Sequence, residues 1–247
     1  MDKNAFSHSA LGGIAIALGM IIAGICIGIA LSDVRTPDRF VSVRGLAERE
    51  VDADLAIWPI MFNETSDDLT VLQSAVESKR KIITDFLVGT GFNASEISYS
   101  VPRITDMKAQ AQSLRLAISG TRAENIPRYA SETTVTLRSS NVSGVKKAME
   151  SAGALVGKGV ALSSENYRYP TEFMFTKLNQ IKPEMIEEAT KNAREAADKF
   201  AKDSGSKVGK IRNASQGLFS ITDRDRNSPE RKIIRVVTTV EYYLVDK

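Results

Sequence analysis

The stretch Phe175–Lys210 constrains this chain more than any other. Ile186, Ala189, Ala193, Ala196 and Phe200 recur every three or four positions and so share one helix face, which Met185, Ala197 and Ala201 widen. Opposite them stand Glu187–Lys191, Glu195–Lys199 and Asp198–Lys202, acid first at i,i+4, the favourable order on a solvated face. Asn179 can cap the start, Pro183 fits a first turn, and Gly205 can take the left-handed conformation that ends a helix. A stripe made mostly of alanine requires close approach to whatever it covers, and a sheet is the expected partner.

The count of imidazoles and thiols narrows the chemistry. His8 and Cys26 are the only ones, so Ser32 to Lys247 has neither. That region cannot build a Ser-His-Asp or Cys-His site, a thiol redox centre, a haem axial-histidine site or a typical zinc site. A lone cysteine forms no intrachain disulfide and leaves the compartment open. The chain is 43% hydrophobic and 26% charged with a net charge of +3, the two signs mixed along its length. With no basic block and one Trp, nucleic acid is not an expected partner.

After a short tail (1–9), Ala10–Leu31 is an uncharged apolar run long enough to cross a bilayer as a helix. The competing reading is a cleaved signal peptide, since Ala30 and Ser32 are small. The run exceeds a usual signal core and only Lys3 precedes it as a basic residue, so an uncleaved anchor in the lipid bilayer is expected. Lys3 against Arg35 and Arg39 does not settle its orientation. Gly24 and Gly28 form a small-xxx-small pair that would let two such helices touch. Residues 32–39 read as a linker, with Pro37 blocking helix continuation.

From 40 to 247 the pattern reads β-β-α-β-β-α-β-α-β-β, an α+β fold of mostly antiparallel sheet covered by helices. Phe40–Val51 alternates, with Gly45 suggesting a bulge; Leu55–Phe62 is apolar on both faces, with Pro59 pointing to an edge or bulge on one side and Trp58 to a core position. A helix starts at Ser66 with Asp67 and Asp68 in its first turn and ends at Gly89 or Gly91; its stripe is Leu69, Leu72, Val76, Ile83 and Phe86, and Lys79 must snorkel. Glu96–Ile104 is a strand, and Thr105–Pro127 an excursion from the sheet, either a mobile arm or an oligomer contact. Tyr129–Arg138 is a strand, Asn141 caps a short helix ending at Gly153, and Gly159–Thr176 is extended, broken at Pro170. After the alanine helix, Lys207–Ile221 and Lys232–Val245 form a hairpin around Asp223–Arg231. Ile234, Val236, Thr238, Val240, Tyr242 and Leu244 share one face of the last strand. A helix between strands recurs around Asp67–Gly91 and Asn179–Gly205, a hint of internal duplication.

Two segments carry a resemblance. VSVRGLAEREVDADLAIWPI at Val41–Ile60 and EEATKNAREAADKFAKDSGSKVGKI at Glu187–Ile211 resemble the two signatures of the SIMPL family of bacterial envelope proteins. In the second, the pattern falls on Ala189, Ala193, Arg194, Ala197, Ala201, Gly205 and Gly209. The resemblance runs from Phe40 to the C-terminus, although Thr105–Pro127 is longer than the family pattern. It implies an α+β ectodomain on the outer side of the cytoplasmic membrane, often in large homo-oligomers and loosely linked to stress tolerance. No enzymatic activity, cofactor or catalytic residue comes with it.

The local candidates favour plain readings. Asp223 and Asp225 form a D-x-D pair of the kind calcium uses, but Arg224 and Arg226 alternate with them and a solvated hairpin tip fits better. Glu48 and Asp54 could share acid–base work only in a cleft, and surface charge is the simpler reading. Gly153, Gly157 and Gly159 lack phosphate-loop spacing, and Lys158 is not followed by Ser or Thr. The expectation is therefore a single-pass protein of the cytoplasmic (inner) membrane with its domain in the periplasm or outside the cell, self-associating as a scaffold among envelope partners. No catalytic, cofactor or metal residue is expected. A small-ligand-binding envelope module is the alternative, and a Ser/Lys or carboxylate hydrolase comes third.

Overall fold

The computed structural model describes residues 17–29, 39–115, 126–163 and 169–246. Residues 17–29 form helix α1 with every position exposed, and nothing lies within 4 Å of where a Cβ would stand on Gly24 or Gly28. No helix among the described residues is long and apolar enough to cross a membrane. The remainder of the apolar run, 10–16 and 30–31, lies outside them.

Beyond it the order is β1 (Phe40–Asp52), β2 (Leu55–Ser66), α2 (Leu69–Gly89), β3 (Ile97–Tyr99), β4 (Arg103–Asp106), α3 (Met107–Arg115), β5 (Tyr129–Ser139), α4 (Val142–Ser151), α5 (Gly153–Gly157), β6 (Glu172–Met174), α6 (Leu178–Asp203), β7 (Ser206–Gln216), β8 (Ser220–Asp223) and β9 (Arg231–Asp246). The fold is α+β with antiparallel pairing. Two sheets form. One has the order β1-β9-β7, with β8 also on β9; the other runs β3-β5-β2-β6, with β4 also on β5. The chain divides into two compact units, one built from β1 up to Gly45, Ala189–Gln216 and the chain from Thr238, the other from Leu46–Glu188 and Gly217–Val237.

In the first unit α6 lies on the sheet through Val43, Ala193, Ala197, Val240 and Tyr242. Gly45 shows how close it comes: a Cβ there would stand 1.8 Å from the Ala189 carbonyl oxygen and 2.5 Å from the Ala193 nitrogen. Helix backbone thus rests on strand backbone, and Gly45 serves this approach within an unbroken β1. The same closeness corrects the phase of the stripe. Met185, Ala189, Ala193, Ala197 and Ala201 are the buried set, whereas Phe200 is 60% exposed and Ile186 and Ala196 are half-buried. Only small side chains fit where backbones nearly touch, so the alanine row turns inward and the larger Phe200 turns out. Asn179 and Pro183 lie inside the helix and not at its cap and first turn, because the helix already begins at Leu178. Gly205 takes φ +71° and ends it as its type suggested. At Gly209 a Cβ would come 3.0 Å from the Tyr243 carbonyl oxygen, a second close approach, within β7.

In the second unit α2, α4 and α5 cover one face of the β2–β5 sheet. Trp58, Ile60 and Phe62 of β2 and Val135 and Leu137 of β5 pack there against Val76, Ile83, Leu87, Val145 and Leu155. Asp68, not Ser66, is the N-cap of α2, its carboxylate accepting from the Thr70 and Val71 amides. Leu69 proves exposed and Leu87 takes a place in the core instead. Lys79 carries its Nζ to the Gly159 carbonyl, donating at 2.5 Å. Gly153 opens the short α5 rather than ending α4, and Pro102 separates β3 from β4 where one strand was expected. Thr105 and Asp106 extend β4 and Met107–Arg115 is helical, so the start of the expected excursion is ordered structure, while 116–125 lies outside the described residues. Glu172–Met174 and a bridge at Leu162 to Phe62 are the described pairings of the extended 159–176 stretch, of which 164–168 lies outside. The hairpin's first arm breaks at Gly217, where a Cβ would stand 2.7 Å from the Val237 carbonyl oxygen.

Gly45→Ala is expected to destabilise the protein by about 2–4 kcal/mol, because backbone on both sides of the contact must move. Phe200→Ala should cost under about 1 kcal/mol. Urea unfolding of the two variants checks the contrast, and equal midpoints would contradict this packing.

Candidate functional site

Pro59 explains how an open groove arises on the uncovered face of the β2–β5 sheet. The register Leu55↔Met174, Ala56↔Phe173, Ile57↔Glu172, carried two residues on, would set Pro59 opposite Pro170. Neither proline has an N–H to give, so the β2–β6 ladder stops there. On the same side the Met61 carbonyl accepts from Ser163 N at 2.9 Å. Backbone groups two residues apart point alike, so Pro59 turns its missing donor away from β5. Its pairing with Thr136 of β5 is therefore undisturbed, and the expected edge lies on the β6 side.

The groove has a volume of about 400 Å³. Its floor is the outer row of β5, Glu132, Thr134 and Thr136, beside Ile57 and Pro59 of β2. Tyr169, Pro170 and Glu172 form one wall, and Ser100, Val101 and Arg103 the other. Arg103 and Glu132 are cross-strand partners in register. Even so, among the described residues the charged groups of Arg103, Glu132 and Glu172 have no ion-pair or hydrogen-bond partner. The Ser100 hydroxyl accepts from Thr134 N at 2.9 Å and Arg80 donates to the Ser100 carbonyl, which fixes that wall. Val101 is 89% exposed at its rim. Charged, hydroxyl and apolar groups thus converge on one concave surface, as ligand sites require. Composition gave no sign of it, since four separate segments contribute.

The candidates read from the sequence fall elsewhere. Asp223 pairs with Lys232 across the β8–β9 hairpin, while Asp225 accepts from Arg224 Nε at 2.8 Å and from Asn227 N at 2.8 Å. The two aspartates are thus tied to different cations, and no group of three or more acidic, His or Cys residues suited to a metal occurs among the described residues. Asp54 Oδ1 accepts from both the Thr176 amide and hydroxyl at 2.9 Å, tying the β1–β2 turn to the chain after β6; Glu48 is exposed on β1. Gly159 takes φ +77° in a turn. Trp58 is core.

Charge at the hairpin is organised around Arg224, which reaches Glu50 at 2.9 Å as well as Asp225, with Arg231 also on Glu50 at 3.1 Å. Bonds from Arg224 and then Arg231 hold the Glu50 carboxyl below its ordinary value, and the Arg224 bond does the same for Asp225. Burial is the largest single influence on the Glu230 carboxyl and pushes it up, but the Lys146 bond, a backbone bond and the charges of Lys146 and Arg224 together leave it lowered.

The molecule is thus an α+β protein built on two antiparallel sheets, one of which leaves a face open. Residues 41–236 match the model of the SIMPL family, described as a protein of unknown function (DUF541), and the chain belongs to that family. No curated protein matches it. The positions that carry the family pattern are occupied by architecture. Gly45, Ala189 and Ala193 make the helix–strand contact, Gly205 and Gly209 serve backbone geometry, Arg194 lies 5.8 Å from the Tyr242 ring centre, and Asp54 ties a turn.

Because Glu50 and Asp225 are depressed on folding, their contribution is complete above the ordinary values of 4.5 and 3.8 and is lost as pH falls through the lower folded values. The urea midpoint should be flat above about pH 5 and drop below about pH 4, and Arg224→Leu should flatten part of that drop. An unchanged acid profile in the variant would remove Arg224 from this role.

Proposed function

We propose that this protein is a membrane-tethered interaction module of the bacterial cell envelope that binds through the β2–β5 groove and carries out no chemistry. The observation that carries the reading is a concave surface holding three charged side chains with no partner among the described residues. Glu50 and Glu230, by contrast, are held in ion pairs with Arg224 and Lys146. The tether is the apolar 10–31 run, whose described part exposes Leu18, Ile21, Ile22 and Ile25 along a helix. It would place the domain on the outer side of the cytoplasmic membrane, as the family resemblance implies. A hydrolase finds less support. Ser139, whose hydroxyl accepts from the Asn141 amide at 3.1 Å, is only 2% exposed and faces the covered side of its sheet.

A screen of peptides, sugars and small amphiphiles tests the groove, using amide chemical shifts of the full-length protein in mild detergent. Shifts should gather at Glu132–Thr136 and Glu172. Ligands that move only other surfaces, or no ligand at all, would end the proposal.

Self-association is a second reading, and one observation favours it. Leu218, at the β7–β8 turn, is 95% exposed and adds nothing to the fold of its own chain. Edge-to-edge pairing is a poor route, since Lys207, Lys210 and Arg212 lie along the outer strand β7 and charge blunts such edges. Sizing of the detergent-solubilised chain should show an oligomer that Leu218→Ser makes smaller. A monomeric parent would eliminate this reading.

A further inference from the structure

The groove has a direction and a length. Along β2, Asn63 pairs with Glu132, Met61 with Thr134 and Pro59 with Thr136, while Ile57 pairs with Glu172 on the other side. From Asn63 to Ile57 is six residues of extended chain, or about 20 Å at strand rise. Glu132 and Glu172 therefore stand toward opposite ends of a track that follows the strands, with the threonine hydroxyls and the two prolines between them. A track of that length and openness suits a chain lying along it better than a compact small molecule.

Its chemistry selects the kind of chain. The two glutamates outnumber Arg103, so the lining is net negative, and all three are unengaged by other described side chains. Tyr169 is partly exposed, and with Pro59 and Pro170 it offers an apolar surface for the methylene stem of Lys or Arg and a ring face for its charge. The hydroxyls of Thr134 and Thr136 can donate to and accept from a peptide backbone, and Arg103 can donate to a main-chain carbonyl.

From this geometry, and on the reading that the groove is the working surface, we infer that its ligand is an extended segment of polypeptide, about six residues long, with basic side chains spaced to meet Glu132 and Glu172. The contacts are charge-assisted but open to water, so affinity is modest and falls with ionic strength.

The test uses the full-length protein in detergent with three labelled peptides of about six residues: one basic, one acidic, one neutral, all with the same apolar positions. Binding is read by fluorescence anisotropy and by the amide shifts of Thr134 and Thr136. The basic peptide should bind at least about tenfold more tightly than the acidic one and lose about tenfold in a Glu132→Gln, Glu172→Gln double variant, with further loss at high salt. Tyr169→Ala should weaken it as well. Both glutamates and Tyr169 are at least partly exposed, so these changes leave the core intact. A basic peptide that binds no better than the acidic or neutral one, or that ignores the double variant, overturns the inferred ligand. In that outcome the groove itself survives only if another probe shifts Thr134 and Thr136. If no probe of any class shifts them, both the ligand and the groove reading fall.

Discussion

The contact of α6 backbone with β1 backbone at Gly45 is the constraint from which the first unit is built. A Cβ at that position would overlap the Ala189 carbonyl, so no side chain larger than hydrogen fits between helix and strand. Alanine every fourth position on α6 follows from this, because a larger residue would lift the helix off the sheet. Each buried methyl contributes only about 0.8 kcal/mol, so the gain comes from many close contacts and not from bulk. Tyr242 and Val240 of β9 then supply the volume that the alanines lack. This accounts for a family pattern rich in Ala and Gly and poor in reactive groups: it records a way of packing.

The second unit is organised by an asymmetry between two faces of one sheet. On one side Trp58, Ile60, Phe62, Val135 and Leu137 are sealed by three helices. On the other the β2–β6 ladder ends where two prolines would meet, and a ladder without donors cannot zip further. The gap is kept by the missing N–H groups of the two prolines. The charged groups in that gap are left to solvent, whereas Arg224 is tied to both Glu50 and Asp225.

Local periodicity was readable to the extent that local neighbours decide it. The alternation of Ile234, Val236, Thr238, Val240 and Tyr242 appears in the structure as read, since a strand pressed on one face has a period of two whatever its partners are. The phase of α6 was less legible. Counting apolar residues admitted Phe200 to the stripe, whereas the 60% exposure of that ring reflects a space limit set by β1, more than 140 positions away in the chain as numbered. Lys79 illustrates the same point: its partner, the Gly159 carbonyl, lies 80 residues on. The groove had no local signature, because it assembles from β2, β5, the β3–β4 connection and the start of β6.

By itself, the sequence determined which chemistries the body from Ser32 onward cannot perform, the α+β class, the antiparallel strands, the alanine helix and the family. Those follow from residue type and from short-range spacing, which the chain carries wherever it goes. Tertiary structure alone decided which face of α6 is buried, which carboxylates are paired and which are left open, and where a concave surface forms. These depend on distance between residues remote in the chain, and distance of that kind exists only once the strands have found their register.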